Sequence, residues 1–126
     1  MIINDIDTIA AVREAFFRYE AALLRNDVVA LDAFFVHRAD TVRYGVSETQ
    51  YGIDEIRAFR SVQRPFVRDL DRVEIVSYGK DVATASTLFY RPDFPGQVGR
   101  QQQTWIRTEG GWKVAAAHVS MMPASP

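Results

Sequence analysis

Apolar side chains recur every three or four residues near the start of this chain, and this spacing constrains its fold most strongly. They are Ile9, Val12, Phe16, Tyr19 and Leu23. Because residues three and four apart share one face of an α-helix, the pattern predicts a helix over residues 8–25 with that face buried. Tyr19 then lies in the core, where a phenol hydroxyl needs a hydrogen-bond partner. The partner is either a structural carbonyl or a ligand in a pocket, and only the second makes Tyr19 a functional residue.

The composition fits one globular domain over residues 1–126. Hydrophobic residues form 48% of the chain and charged residues 25%. The formal net charge of −1 gives no indication of binding to nucleic acid or to an anionic membrane. The chain has no cysteine, which excludes disulfides and a thiol nucleophile. No basic or long apolar stretch follows Met1, so we expect no signal peptide, no membrane span and a cytoplasmic location.

Helices come first in the chain and strands follow. A second helix over 28–35, a strand over 41–46 and a third helix from Gly52 to about Pro65 are predicted. Four further strands are predicted over 72–78, 82–90, 99–108 and 112–121. Tight turns join them as hairpins. The order α-α-β-α-β-β-β-β predicts an α+β domain with helices on one face of a curved antiparallel sheet.

Three alanines at 115–117 stand in the last predicted strand, where large side chains are usual. They indicate either a helix packed close to the sheet or an unfilled space. Alternation places Ala115, Ala117 and Val119 on one face, and His118 on the other. If the alanine face lines a cavity, His118 points away from it, towards a subunit interface; a local bulge would reverse this.

Several polar residues are candidates for a binding site. Arg43 lies inside the first strand, so it is either exposed at an edge or presents its guanidinium to a carboxylate ligand. Arg57, Arg60 and Arg64 recur at helical spacing, which is typical of a solvated face and compatible with an anion site. Gln101, Gln103 and Trp105 share one side of a strand, and an inward glutamine can bind a polar ligand.

Several kinds of site are excluded by their missing motifs. The sequence contains no phosphate-binding glycine loop, no nucleophile elbow and no zinc-binding histidine spacing. His37 is interpreted as a surface residue, far in the chain from His118. We therefore expect no metal and no cofactor.

Several segments together resemble the AtzH-like family of the nuclear-transport-factor-2-like (NTF2-like) superfamily. They are 17–23, 26–27, 31–32, 41–45, 51–60, 64–65, 99–101, 103–105, 111–112 and 116–120. The resemblance extends from about residue 12 to 122. The chain departs from the family pattern around 61–69, which is about one residue longer, and at Gln102, where a serine is expected. Both departures bear on the shape of a pocket.

The resemblance implies a cone-shaped fold, in which a strongly bent antiparallel sheet wraps around a long N-terminal helix with two further helices. It implies a homodimer formed through the outer sheet face, and a functional association with an amidase. The implied reaction is the hydrolysis or decarboxylation of a carboxylated urea, giving allophanate, in the breakdown of compounds such as cyanuric acid. The family's catalytic pair falls on Tyr19 and Arg43. The residues predicted to bind substrate are Tyr44, Arg60, Arg64, Gln103, Trp105 and His118.

Two other classes of function remain open. A domain of this fold can be a non-catalytic module that binds a small carboxylate or supports an amidase, or it can be an isomerase or dehydratase. An inward-facing Asp or Glu would favour the isomerase or dehydratase, and the predicted strands offer no clear candidate. Turnover of a carboxylated urea by the purified protein distinguishes an enzyme from a binding module.

Overall fold

The computed structural model describes residues 1–125, which form three helices and one six-stranded sheet. The helices are α1 Ile6–Leu24, α2 Val28–Phe34 and α3 Ile53–Val62. The strands are β1 Val42–Tyr44, β2 Thr49–Tyr51, β3 Asp69–Tyr78, β4 Val82–Tyr90, β5 Gln97–Thr108 and β6 Gly111–Pro123. The α+β class and the helix-first order are confirmed. The three-residue β2 is the strand that the sequence prediction lacks.

The strands lie in the order β2-β1-β6-β5-β4-β3. All neighbours are antiparallel except β1 and β6, which are parallel, so the sheet is mixed rather than wholly antiparallel. Tight hairpins force antiparallel pairing only between strands that follow each other directly. Because β2, α3 and three strands separate β1 from β6 in the chain, no hairpin constrains their relative direction.

The helix ends are fixed by short polar side chains. Asp5 accepts a hydrogen bond from the backbone N–H of Thr8 at the start of α1, at 3.1 Å. After α1, Asn26 adopts a left-handed φ of 49° and donates through Nδ2 to the carbonyls of Arg60 and Gln63. Asn26 therefore ties the end of α1 to the end of α3, the two helices that carry Tyr19 and Arg60.

The predicted face of α1 is buried against the inner face of the sheet. Val12 and Phe16 are fully buried, Tyr19 is 3% exposed and Ile9 is half-buried. The helical pattern read from the sequence is therefore confirmed. None of the helices within residues 1–125 is long and apolar enough to cross a membrane.

A β-bulge in β6 determines which residues of this strand point inward. The register with β5 shifts between Thr104 and Trp105, so Val114 takes the buried position and Ala115 does not. After the bulge Ala117 is buried and His118 is exposed on the outer face. The predicted opposition of Ala117 and His118 is confirmed, and the bulge does not reverse it.

We propose that a second copy of the chain covers the outer face, as the family resemblance implies. Leu88 is half-buried there, and Tyr90 and Met122 are each 42% exposed. Covering this apolar surface removes it from water. Light scattering at micromolar concentration should give twice the 14.3 kDa chain mass, and Leu88→Glu should lower it. A clean monomer mass for the unaltered protein would contradict the proposal.

Candidate functional site

A cavity of about 210 Å³ lies between α1, α3, the inner sheet face and the segment that joins α3 to β3. This is smaller than the roughly 300–1,000 Å³ of pockets that hold drug-sized ligands, so the cavity suits a compact molecule. The basic side chains in its wall are Arg43, Arg60, Arg68 and Arg91, and the acidic one is Glu48. Its other polar lining residues are Tyr19, Ser47, Gln63, Gln101 and Gln103.

Strand register brings Arg43 and Gln103 to the same part of the cavity. Arg43 pairs with Ala117 across β1 and β6, and Ala117 pairs with Gln103 across β6 and β5. Partners in register point to the same face of a sheet, so both polar side chains face inward. The methyl group of Ala117 between them leaves room for a ligand. At this position the alanine run therefore marks a space rather than a close-packed helix.

The hydroxyl of Tyr19 is bonded to a charged side chain rather than to a carbonyl. Arg60 donates through Nη2 to the phenol oxygen at 2.8 Å, and both residues are buried. Since the phenol oxygen accepts this bond, its own proton remains free to point into the cavity. A cationic donor polarises the phenol and strengthens its donation to a third group.

Arg60 is a buried cation without a carboxylate partner among residues 1–125. Its Nη1 donates to Gln63 Oε1 at 2.7 Å, and its Nε has no partner in that range. Burial lowers the pKa of Arg60, and the charge of Arg43 acts in the same direction, while Tyr19 and Glu48 oppose them. Arginine nevertheless stays charged in proteins. An uncompensated buried charge is costly, so this position favours an anionic ligand.

Arg43 is buried and paired, so the exposed-edge alternative is wrong. Its Nη1 donates to Glu48 Oε1 at 2.8 Å and to Gln50 Oε1 at 2.7 Å. Its guanidinium lies 4.4 Å from the centre of the Phe59 ring. Burial raises the pKa of Glu48, but the hydrogen bond and charge of Arg43 outweigh it and hold this pKa below its ordinary value.

A second ion pair, which sequence reasoning missed, lies beside the same cavity. Arg68 donates through Nε to Glu20 Oε2 at 2.9 Å and through Nη2 to Glu20 Oε1. The Arg68 side chain is 3% exposed and packs over the Phe89 ring. The sequence holds one indication for Glu20, which is a charged residue next to Tyr19 on a helix that packs on the core. The only indication for Arg68 is that it lies in the segment that departs from the family pattern.

Two glutamine amides present donors to the cavity. The indole N–H of Trp105 can only donate, and it donates to Gln103 Oε1 at 3.0 Å, so the Gln103 NH₂ group is left for a ligand. Arg68 likewise donates to Gln101 Oε1 at 3.0 Å. The buried Gln101 Nε2 has no partner among residues 1–125. Trp105 therefore lies behind the cavity wall and orients Gln103.

Four of the residues predicted to bind substrate lie outside the cavity: Trp105 behind its wall, and Tyr44, His118 and Arg64 at the surface. Tyr44 follows Arg43 in β1 and so faces outward, where its hydroxyl lies 3.0 Å from that of Tyr51. His118 is exposed on the same face, with its ring centre 5.6 Å from that of Tyr44. Arg64 is exposed because α3 ends at Val62, so the helical spacing that grouped it with Arg60 no longer applies.

Other sequence candidates lie on the surface. Arg57 pairs with Asp32 at 2.6 Å, and His37 is next to this pair. Gln102 faces outward and donates to Ser86 Oγ at 3.0 Å, so this departure from the family pattern does not shape the cavity. Within residues 1–125, no cluster of three or more His, Cys, Asp or Glu side chains has the arrangement of a metal site.

A family model described as AtzH-like matches residues 1–125. The chain belongs to the AtzH-like family. Among solved structures similar to this AtzH-like protein is one of unknown function from Pectobacterium atrosepticum, 48% identical, with a TM-score of 0.92 over 95% of this chain and 94% of that one. Another is a cystatin-like fold protein from Burkholderia xenovorans, 43% identical, with a TM-score of 0.95 over 99% of each chain.

More distant structures show the fold alone. An NTF2-like superfamily protein from Salmonella enterica is 22% identical, with a TM-score of 0.77 over 94% of this chain and 93% of that one. The NTF2-like fold that the sequence resemblance implies is therefore confirmed. No curated protein matches the chain.

The donor character of the cavity is tested by Gln103→Glu. The change keeps the oxygen that Trp105 bonds and replaces the inward NH₂ donor by a carboxylate oxygen, which repels an anion. Losing a charge-assisted hydrogen bond costs roughly 1.5–3 kcal/mol, so calorimetry should show at least ~10-fold weaker binding of malonate, a small dicarboxylate.

Gln102→Glu is the matched control, because it makes the same chemical change one residue away on the outer face. Its malonate affinity should stay close to that of the unaltered protein. Equal losses in the two variants would mean that only the overall charge matters, and would contradict a donor role for Gln103.

Proposed function

We propose that this AtzH-like protein is an enzyme that cleaves a C–N bond of a urea bearing two carboxylates, giving allophanate. The observation that carries the proposal is the charge balance beside Tyr19. Arg43 and Arg60 pack on the same Phe59 ring, 4.4 and 5.5 Å from its centre, and Glu48 is the carboxylate paired with Arg43. Arg60 has no resident carboxylate, and Arg43 becomes available when a ligand carboxylate replaces Glu48, so the pair suits a ligand that brings two carboxylates.

The arrangement supports a defined binding mode. A carboxylated urea is a flat chain of amide groups that ends in carboxylates, and it offers oxygen acceptors along its length. Arg43 can hold one carboxylate and Arg60 the other, with Gln103 donating to the oxygen atoms between them. Burial of the site strengthens each of these contacts. The cavity volume of about 210 Å³ suits a molecule of this size better than a steroid.

The proposed chemical step needs one proton donor and no protein nucleophile. The C–N bond to one carboxylate breaks, its electron pair goes to nitrogen, and nitrogen takes a proton from the Tyr19 hydroxyl. The released carbon leaves as carbon dioxide, or as bicarbonate when water adds to it. Arg60 stabilises the phenolate until water returns the proton. Both routes leave allophanate and restore Tyr19.

The isomerase or dehydratase alternative is less well supported. The structure does contain the inward carboxylate that this alternative needs, in Glu48. Glu48 is, however, paired with Arg43 and has a lowered pKa, which makes it a weak general base. Turnover of a carboxylated urea by the purified protein distinguishes the proposed enzyme from the binding-module alternative.

We also propose a functional association with an amidase, because an amidase acts on the same class of ureide.

Arg43→Lys tests the bidentate carboxylate contact. Lysine keeps the charge but lacks the planar fork, so turnover of 1,3-dicarboxyurea should fall by about 10- to 150-fold, the equivalent of roughly 1.5–3 kcal/mol. Arg107→Lys is the matched control, since Arg107 is an exposed strand residue paired with Asp81. Equal turnover in Arg43→Lys and the unaltered protein would contradict the role of Arg43.

Tyr19→Phe tests the proton donor. The phenyl ring keeps its packing on Trp105 and loses only the hydroxyl. Loss of a positioned acid or oxyanion donor should lower the turnover rate by about 10²-fold or more. Loss of a merely structural bond should cost on the order of 1 kcal/mol of stability and leave the rate nearly unchanged.

Tyr44→Phe is the control for this experiment, because it removes one hydroxyl from the outer face. A thermal melt and one rate measurement on each variant decide between the two roles. A Tyr19→Phe protein that melts early and keeps its full rate would contradict the catalytic role.

A further inference from the structure

We propose that Glu48 determines ligand specificity by occupying the Arg43 subsite in the ligand-free protein, so that only a ligand carboxylate displaces it. This inference rests on the proposed function in one respect, that Arg43 receives a carboxylate of the ligand. Glu48 then has a role that neither Tyr19 nor Arg43 supplies. It excludes neutral amides from a site built to receive anions.

The turn between β1 and β2 brings Glu48 over the cavity. The backbone N–H of Gly45 donates to the Glu48 carbonyl at 2.8 Å and closes this turn. The Glu48 side chain then folds back across Gly45 and reaches Arg43 Nη1. A Cβ on Gly45 would lie 1.7 Å from Glu48 Oε1, so the absence of a side chain at Gly45 creates the space that the carboxylate fills.

Comparison with the second ion pair shows why Glu48 is exchangeable. Glu20 binds Arg68 through both carboxylate oxygens, and their side chains are only 10% and 3% exposed. Glu48 binds Arg43 through one nitrogen, and its side chain is 28% exposed. Its other oxygen, Oε2, accepts a bond from the backbone N–H of Ser47, within the same turn. A buried ion pair joined by two hydrogen bonds is a fixed part of the cavity wall. A partly exposed ion pair joined by one hydrogen bond can be displaced by a ligand.

Displacement of Glu48 makes the selection depend on charge. A ligand carboxylate replaces the lost contact on Arg43, and Glu48 becomes hydrated because it is already partly exposed. A neutral amide offers Arg43 no charge in return, so Glu48 stays in place and the cavity remains partly filled. The apparent affinity for an anionic ligand is reduced by the fraction of molecules in which Glu48 occupies Arg43.

The test is a calorimetric titration of malonate into four proteins at one pH and ionic strength. They are the unaltered protein, Glu48→Gln, Gly45→Ala and the control Glu109→Gln. Glu48→Gln removes the competing charge, and Gly45→Ala expels the carboxylate by steric overlap while Glu48 remains in the chain. Glu109→Gln removes one negative charge from an exposed hairpin turn away from the cavity.

We expect Glu48→Gln and Gly45→Ala each to bind malonate about 10-fold more tightly, the scale of one charge-assisted hydrogen bond, and Glu109→Gln to match the unaltered protein. With 1,3-dicarboxyurea, KM should fall in Glu48→Gln while kcat is retained. In an Arg43→Gln background the Glu48→Gln effect should disappear, because the competition acts through the charge of Arg43. Melting curves check that each variant is folded.

Three results would overturn the proposal, and only the third would also overturn the proposed function. If Glu48→Gln binds malonate no better than the unaltered protein while Arg43→Lys loses binding, Glu48 is not a competitor and the carboxylate subsite stands. If kcat falls 10²-fold in Glu48→Gln at unchanged affinity, Glu48 acts in the chemical step instead. If no protein binds malonate, even with Glu48 removed, Arg43 is not a carboxylate subsite and both proposals fail.

Discussion

The hydrogen bond from Arg60 to Tyr19 joins α3 to α1 across the wall of the cavity. Arg60 is 2% exposed and Tyr19 is 3% exposed, so the bond lies away from water. Asn26 reinforces it by bonding the backbone carbonyl of Arg60 from the end of α1. A guanidinium held in this way has no carboxylate partner among residues 1–125. Its cost to stability is offset when an anion binds, which agrees with the anionic ligand of the proposed function.

Aromatic rings hold the cavity arginines in place while their anionic partners differ. Arg43 lies over Phe59 at 4.4 Å, and Arg68 lies over Phe89 at 4.6 Å. A flat guanidinium on a ring keeps its orientation without a carboxylate to fix it. Gly99 leaves space for the Phe89 ring, since a Cβ at this position would overlap it. The arginines are therefore pre-oriented, and a ligand need not spend its binding energy on ordering them.

The site residues that lie in periodic segments were predictable from the sequence, whereas those in loops were not. The helical spacing predicts the burial of Tyr19 because α1 is long and packs along one face. Strand alternation places Arg43 and Tyr44 on opposite faces, so the two side chains cannot both face the same cavity. Glu48 and Arg68 lie in segments without periodicity. Their positions depend on a turn and on the end of α3, which no local pattern specifies.

The fold does not decide the chemistry, because one architecture can support many unrelated functions. The lining of the cavity is more informative. Tyr19, Gln101 and Gln103 carry donors in its wall, and Glu48 is the one carboxylate among the described residues that line it. An isomerase needs a free basic carboxylate, whereas an acceptor-rich anion needs donors. Because Glu48 is itself bound to Arg43, the donors in the cavity wall suit an anion better than a substrate that needs a free base. The cleavage that we propose next to a carboxylate then needs only the proton that Tyr19 holds.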